Sequence, residues 1–160
     1  MSVRIDFSCD GRFRKHPLLS SRVRGAVRRT LKFENIKVPC TVSVLFTDNE
    51  GIRKINREFR NVDRETDVLS FPENEFDPGS FNEDICEFDH SSGRYILGDI
   101  VISVPKCEQQ GKELGHSVYK EVEYLTVHSM LHLLGYDHMD EGEMKKQMRS
   151  REKIIMGEKE

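Results

Sequence analysis

The segment that most constrains this chain is His128-Ser-Met-Leu-His132-Leu-Leu-Gly135-Tyr-Asp-His138. The first two histidines are four residues apart, so a helix would place them on one face, one turn from each other. Gly135 permits a left-handed residue that ends the helix, and the chain can then return His138 toward the other two. Three neutral imidazoles in this arrangement provide a tetrahedral zinc site whose fourth position stays open.

An open position on a metal ion suggests catalysis. It can hold a water molecule, and a metal-bound water can act as a hydroxide nucleophile near neutral pH. The first interpretation is therefore a metal-dependent hydrolase with one zinc-class ion per chain. The alternative is a set of surface or satisfied core histidines. The residues between them disfavour it, because apolar side chains there suit a buried helix: Met130, Leu131, Leu133 and Leu134.

Length and composition limit the class of protein. A chain of 160 residues is most simply one domain, residues 1–160. No run of 18 apolar residues occurs, so we expect no membrane span. The N-terminus lacks the layout of a secretory signal. The cysteines form no closely spaced pair and are typical of free thiols in the reducing cytoplasm: Cys9, Cys40, Cys86 and Cys107.

Charge is strongly segregated along the chain, although the net charge is only −3. Residues 11–33 contain eight basic residues and no acid, and residues 73–89 contain seven acids and no base. A basic block can neutralise phosphates, which favours a nucleic-acid partner, although a solvated helix face is an open alternative. The acidic block is predicted to be a mobile loop rather than a site. The candidate RNA-contacting residues are Arg22, Arg24, Arg28, Arg29 and Lys32.

Hydrophobic periodicity predicts an α+β domain with some α/β character. Strands are predicted at residues 3–7, 41–46, 67–71 and 95–103, and helices at 17–35, 48–59, 105–115, 118–134 and 141–156. The second helix should bury Ile52, Ile55 and Phe59. We therefore expect a small mixed four-stranded sheet packed with about five helices, with the metal site at the end of a central helix.

The histidine spacing resembles the metzincin protease motif, His-Glu-x-x-His-x-x-Gly-x-x-His. Ser129 occupies the position of the glutamate general base in that motif. A serine cannot act as that base near neutral pH, so the sequence argues against peptide hydrolysis while the metal ligands remain. A metalloprotease that uses Asp99 or Asp137 as its base stays an alternative. So does an RNA-binding or ribosome-binding factor whose metal is structural.

Three further side chains are candidates for the site. Arg60 could clamp a phosphate through two hydrogen bonds, or it could be an ordinary arginine at a helix end. Asp99 lies on a strand that should be largely buried, where a carboxylate needs a partner such as the second nitrogen of a ligand histidine or a basic residue. It could also orient or deprotonate water. Asp137 is an equal candidate for the histidine partner, or a turn residue.

Three blocks of the sequence together resemble the YbeY family of bacterial, single-domain, metal-dependent endoribonucleases. They are the histidine segment, the stretch that ends in Thr66-Asp67-Val-Leu-Ser-Phe-Pro72, and Leu97-Gly98-Asp99-Ile100. The resemblance extends from about residue 38 to residue 138. One departure is Ser129, where the family usually has glycine; both residues are small.

The resemblance implies zinc, or another divalent metal, on His128, His132 and His138, with Arg60 in the active-site cleft. It implies a single-strand-directed endoribonuclease in ribosomal RNA maturation, at the 3′ end of the small-subunit RNA, and in ribosome quality control. Ribosomal RNA, the small ribosomal subunit and other processing nucleases are the implied partners, with no membrane. We expect metal-assisted phosphodiester cleavage in which Arg60 stabilises charge on the phosphate, by water or by 2′-hydroxyl attack.

Overall fold

A computed structural model describes residues 2–10, 17–137 and 142–157. Within these ranges the strands are β1 (Val3–Cys9), β2 (Cys40–Thr47), β3 (Val68–Pro72), β4 (Phe88–Asp89) and β5 (Arg94–Ser103). The helices are α1 (Pro17–Phe33), α2 (Asn49–Arg60), α3 (Val104–Leu114), α4 (Val118–Leu133) and α5 (Glu143–Ile155). None of the helices in these ranges has the length and apolar character needed to cross a membrane.

The strands form one mixed sheet in the order β1-β2-β5-β3. β1 and β5 lie parallel to β2, whereas β3 is antiparallel to β5. The two-residue strand β4 pairs with the start of β5 and lies inside the acidic stretch, where no strand is predicted. The described residues form five helices around a small mixed sheet, so the predicted fold class is confirmed.

Alternation along the strands divides the protein into two unequal cores. Val42, Val44 and Phe46 on β2 are buried and belong to the principal core, which also contains the apolar faces of α1 and α4. The intervening positions face α2, where Ile52 contributes to a smaller apolar cluster. Phe59 of α2 is 68% exposed, so its predicted burial is wrong. α2 ends beside the sheet and leaves this residue uncovered.

Gly98 lets α4 approach the sheet closely. Its φ of 143° is one that side chains rarely adopt, and a Cβ atom there would lie 2.3 Å from the carbonyl oxygen of Phe71 and 2.9 Å from a methyl carbon of Leu133. Leu133 belongs to the end of α4 that carries the histidines. A glycine in β5 therefore fixes the distance between the histidine helix and the strands that face it.

The helix beginnings follow local sequence signals. Ser117 accepts a hydrogen bond from the Lys120 amide at 3.2 Å and caps α4. Asp48 accepts from the Gly51 amide at 2.7 Å and caps α2. The caps fix where the two helices begin. The residues of interest lie at the opposite ends, since α4 carries the histidines near its C-terminus and α2 ends at Arg60.

Candidate active site

His128 and His132 converge at the C-terminal end of α4. Their Nε2 atoms are 3.2 Å apart, and their rings are nearly perpendicular, at 80°. Two imidazoles that bind one tetrahedral zinc ion through bonds of about 2.05 Å would place their nitrogen atoms about 3.3 Å apart. The pair therefore has the separation that a shared metal ion requires.

A buried carboxylate orients the first histidine. Glu152 of α5 is 4% exposed, and its Oε1 atom lies 2.8 Å from Nδ1 of His128. Burial by itself would raise the pKa of Glu152, but hydrogen bonds from His128 and Tyr124 outweigh it and lower the pKa. An ionised Glu152 accepts a hydrogen bond from the Nδ1–H group of His128, so the lone pair of Nε2 is directed toward His132.

The sequence contained only a weak signal for Glu152. The residue lies 24 positions after His128, on another helix, and no local motif connects the two. Its spacing from Met148 and Ile155 places it on the buried face of α5, where an acid must have a partner. A buried acid on an amphipathic helix could thus have been suspected, although its partner could not have been named.

Gly135 ends the histidine helix as predicted. Its φ is 98°, its amide donates to the carbonyl of His132 at 3.1 Å, and a Cβ atom would lie 2.3 Å from the carbonyl oxygen of Phe76. The turn leads to His138, which lies outside the described residues. Within the described ranges no cluster of three or more His, Cys, Asp or Glu residues could hold a metal ion. The third ligand therefore stays a prediction.

The two histidines and Arg60 line the same cleft, which has a volume of about 580 Å³. Arg60 donates a hydrogen bond from Nη2 to the carbonyl oxygen of Ser70, and its guanidinium lies 5.1 Å from the centre of the Phe71 ring. β3 thus supports the arginine at the edge of the sheet. Arg60 is far from His128 and His132 in the sequence, but all three line one cleft together with residues of β3.

The acidic stretch forms part of the cleft wall. Glu75 and Phe76 line the cleft, and Phe76 is buried in the principal core. Asn74 fastens the stretch to the sheet, since its amide nitrogen donates to the Ile96 carbonyl and its oxygen accepts from the Glu87 amide, both at 2.8 Å. The sequence predicted a mobile loop rather than a site here, whereas the structure places part of this segment in the wall of the cleft. Its contribution comes from side chains that pack inward between the acids.

Asp99 lies on the other face of the sheet from the histidines. In the strand register it stands beside Ser43 and Phe71, and it lines an apolar groove of about 390 Å³ next to Ile55 and Phe59 of α2. The residue is exposed, so its predicted burial is wrong, and it does not line the cleft that His128 and His132 line. A catalytic role for Asp99 stays a prediction. Both faces of β5 are buried only from Ile100 onward, and Asp99 precedes that stretch.

Asp137 lines the cleft next to the segment that carries His138. The Nδ1 atom of His128, for which Asp137 was a candidate partner, is held by Glu152. A role for Asp137 toward the other histidines stays a prediction.

The basic face of α1 is partly paired within the protein. Arg22 and Arg29 both bind Glu123 of α4, at 2.8 and 3.3 Å. Arg24 lies 5.1 Å from the ring of Phe7. Arg28 and Lys32 are exposed. The residues share one helix face as predicted, but only part of their charge is available to a partner.

Comparison with known proteins agrees with the resemblance found in the sequence. The family model for Endoribonuclease YbeY matches residues 10–160. Endoribonuclease YbeY of Clostridium kluyveri is 47% identical over 144 residues, which cover 86% of this chain and 87% of that protein. Endoribonuclease YbeY of Clostridium acetobutylicum is 49% identical over 145 residues, 86% of each chain. The solution structure of TM1509 from Thermotoga maritima superimposes with a TM-score of 0.58 at 25% identity, over 96% of this chain and 90% of that one. This chain belongs to the Endoribonuclease YbeY family.

Proposed function

We propose that this chain is a zinc-dependent endoribonuclease that cleaves single-stranded RNA in the cleft between α4 and β3. One observation carries the proposal: the paired Nε2 atoms of His128 and His132 open onto the same cleft as the guanidinium of Arg60. A metal site beside a phosphate-binding cation suits phosphodiester cleavage. Membership of the YbeY family supports the same reaction.

The metal would be held by His128, His132 and His138. The observed nitrogen pair and the carboxylate behind His128 fit a zinc ion, although another divalent metal could use the same donors. When bound, the ion would supply Lewis acidity toward a phosphoryl oxygen or an activated water. Glu152 keeps His128 in the tautomer whose Nε2 atom is available as a ligand.

Arg60 would bind and orient the phosphate. Its contact with the Ser70 carbonyl uses one N–H group and leaves the others for phosphate oxygens. The Phe71 ring supports the guanidinium plane, so the fork is held in one orientation before the RNA arrives. Such a prepared donor stabilises the charge that develops on the phosphate during cleavage.

The protease alternative loses support from the geometry. Its general base would have to be Asp99 or Asp137, because Ser129 is not a base and is fully buried. Asp99 faces the opposite side of the sheet, in the groove beside α2. The guanidinium in the cleft favours a phosphate over a peptide.

We extend the proposal to the biological setting that the family resemblance implies. The enzyme would act in the cytoplasm on the 3′ end of small-subunit ribosomal RNA and in ribosome quality control, together with the small ribosomal subunit and other processing nucleases. The basic face of α1 supports an RNA partner. The four free cysteines support a reducing compartment.

Metal analysis beside an RNA cleavage assay tests the proposal. The purified protein should contain one metal ion per chain, cut a single-stranded RNA faster than the matched duplex, and lose activity with a chelator until zinc is restored. His132→Ala should lose most of the metal, while His90→Ala, at an exposed histidine in the turn that follows β4, should retain it. Full activity in the metal-depleted protein, or equal metal content in both variants, would refute the site. Analysis of the RNA ends after cleavage distinguishes the two possible nucleophiles, water and the 2′-hydroxyl, since 2′-hydroxyl attack leaves a cyclic phosphate.

A further inference from the structure

Three side chains from distant parts of the chain meet behind the cleft. Glu34 follows α1, Tyr136 follows the Gly135 turn, and Arg151 belongs to α5. The hydroxyl of Tyr136 donates to one carboxylate oxygen of Glu34 at 3.1 Å, and Nη1 of Arg151 lies 3.2 Å from the other. Each oxygen of Glu34 thus has a partner of its own, and the carboxylate ties α5 to the turn.

Arg151 also packs against aromatic rings. Its guanidinium lies 4.9 Å from the centre of the Tyr136 ring and 5.5 Å from that of Phe33. Tyr136 is 2% exposed, so its ring is enclosed while its hydroxyl is bonded. The Glu34–Tyr136–Arg151 cluster therefore fixes both the position and the rotation of Tyr136.

The position of Tyr136 connects this cluster to the metal site. The residue lies four positions after His132 and two before His138, and it lines the cleft. Arg151 is followed directly by Glu152, which holds His128. Adjacent residues of α5 therefore reach the first histidine and the segment that leads to the third.

A ligand beyond a helix end needs such support. Helix hydrogen bonds fix His128 and His132, but they stop at the Gly135 turn, and ordering each further residue costs conformational entropy. We propose that the Glu34–Tyr136–Arg151 cluster is a positioning device that prepares the segment after α4 to deliver His138 to the metal. This inference rests on the proposed metal site and assigns its preorganisation to residues outside the set of metal ligands.

Metal affinity, measured apart from activity, tests the inference. Tyr136→Phe removes one hydroxyl and keeps the ring, so the fold is retained. Arg151→Met removes the cation, and Lys153→Met is the matched control, because it removes an exposed cation from the same helix. Zinc affinity is measured by competition with a chelator, and the visible spectrum of the cobalt-loaded protein reports the number and geometry of ligands.

We expect Tyr136→Phe and Arg151→Met to bind zinc about 10–100-fold more weakly, with a weaker cobalt spectrum, the magnitude typical of residues that orient ligands. Arg151→Lys should restore part of the affinity, and Lys153→Met should match the wild type. A lower melting temperature of the metal-free variants with unchanged zinc affinity would mean a purely structural cluster and overturn the inference. A wild-type protein that binds neither zinc nor cobalt would overturn the proposed function as well.

Discussion

Adjacent residues of α4 occupy opposite environments. His128 reaches the cleft and has a carboxylate behind it, whereas Ser129 is fully buried and its hydroxyl has no hydrogen-bond partner among the residues that the structure describes. Thr126, by comparison, satisfies its hydroxyl on the Val122 carbonyl at 2.7 Å. A buried, unsatisfied hydroxyl costs stability, and Ser129 does not line the cleft.

We predict that Ser129→Ala stabilises the protein. The change removes a buried, unsatisfied hydroxyl and introduces a better helix former, so the free energy of unfolding should rise by about 1 kcal/mol. Ser117→Ala is the matched control of opposite sign, because it removes the cap of α4 and should lower that free energy by about 1 kcal/mol. Urea denaturation measures both. A Ser129→Ala variant no more stable than the wild type would contradict the prediction.

Arg60 is predicted to act on RNA and not on the metal. Arg60→Ala should retain full metal content and the wild-type melting temperature but lose at least about tenfold in cleavage rate or RNA affinity, because a charge-assisted phosphate contact contributes about 1.5–3 kcal/mol. Arg60→Lys should recover only part of this, since an ammonium cannot bind Ser70 and a phosphate with a planar fork. Unchanged cleavage by Arg60→Ala would remove the residue from the site.

At the scale of one element, α1 combines a buried face with a partly neutralised basic face. Val23, Ala26 and Val27 are fully buried against the core, so the helix is anchored independently of its charges. Glu123 binds Arg22 and Arg29, which reduces the field that these two present to a phosphate chain. Arg28 and Lys32 then dominate any RNA contact of this face.

Charge reversal on α1 should separate these roles. If the face follows an RNA backbone, Arg28→Glu with Lys32→Glu should weaken RNA binding and flatten the logarithmic salt slope by about 1.5, since each phosphate contact contributes roughly 0.7 to 0.9. Metal content and stability should hardly change, because both side chains are exposed. RNA affinity at several salt concentrations gives the slope, with Lys37→Glu, at an exposed site beyond the helix, as the control. An unchanged slope would favour a merely solvated face.

Across the whole molecule, the reactivity of the cysteine thiols measures how well the core is shielded from solvent. Cys40 and Cys107 are fully buried, whereas Cys9 is half-buried on the edge strand. Burial, followed by the charge of Cys86, raises the pKa of Cys40 to about 12. Burial likewise raises the pKa of Cys107. Both thiols therefore stay protonated near neutral pH, and a protonated thiol is unreactive.

Alkylation by iodoacetamide at pH 8 should modify Cys9 first. Cys40 and Cys107 should react only after unfolding in urea, because the reactive thiolate is both scarce and inaccessible in the folded protein. Raising the pH toward 10 should still leave Cys40 unreactive in the folded protein, because burial raises its pKa to about 12. Mass spectrometry of peptides from the native and the unfolded protein measures the order. Equal labelling of all cysteines in the native state would mean that the core opens readily.

Local signals in the sequence determined the elements and the core of the site. Hydrophobic periodicity and caps such as Ser117 depend on neighbours within a few residues, so they can be identified from the sequence alone. The same holds for the spacing of His128 and His132, which a helix alone converts into a ligand pair, and for Gly135, whose turn the structure shows as predicted.

Only the tertiary structure decided which distant residues share the cleft. Asp99 and Arg60 were both candidates for the site. The alternation of side chains along β5 places Asp99 on the side of the sheet that faces α2. Arg60 instead binds β3 through Ser70 and lines the cleft with His128 and His132. Glu152 became the partner of His128 because α5 packs beside α4, a contact across 24 residues that no local pattern encodes. Sequence spacing fixes geometry within one helix or strand, whereas the packing of elements against one another depends on the summed burial of the whole chain.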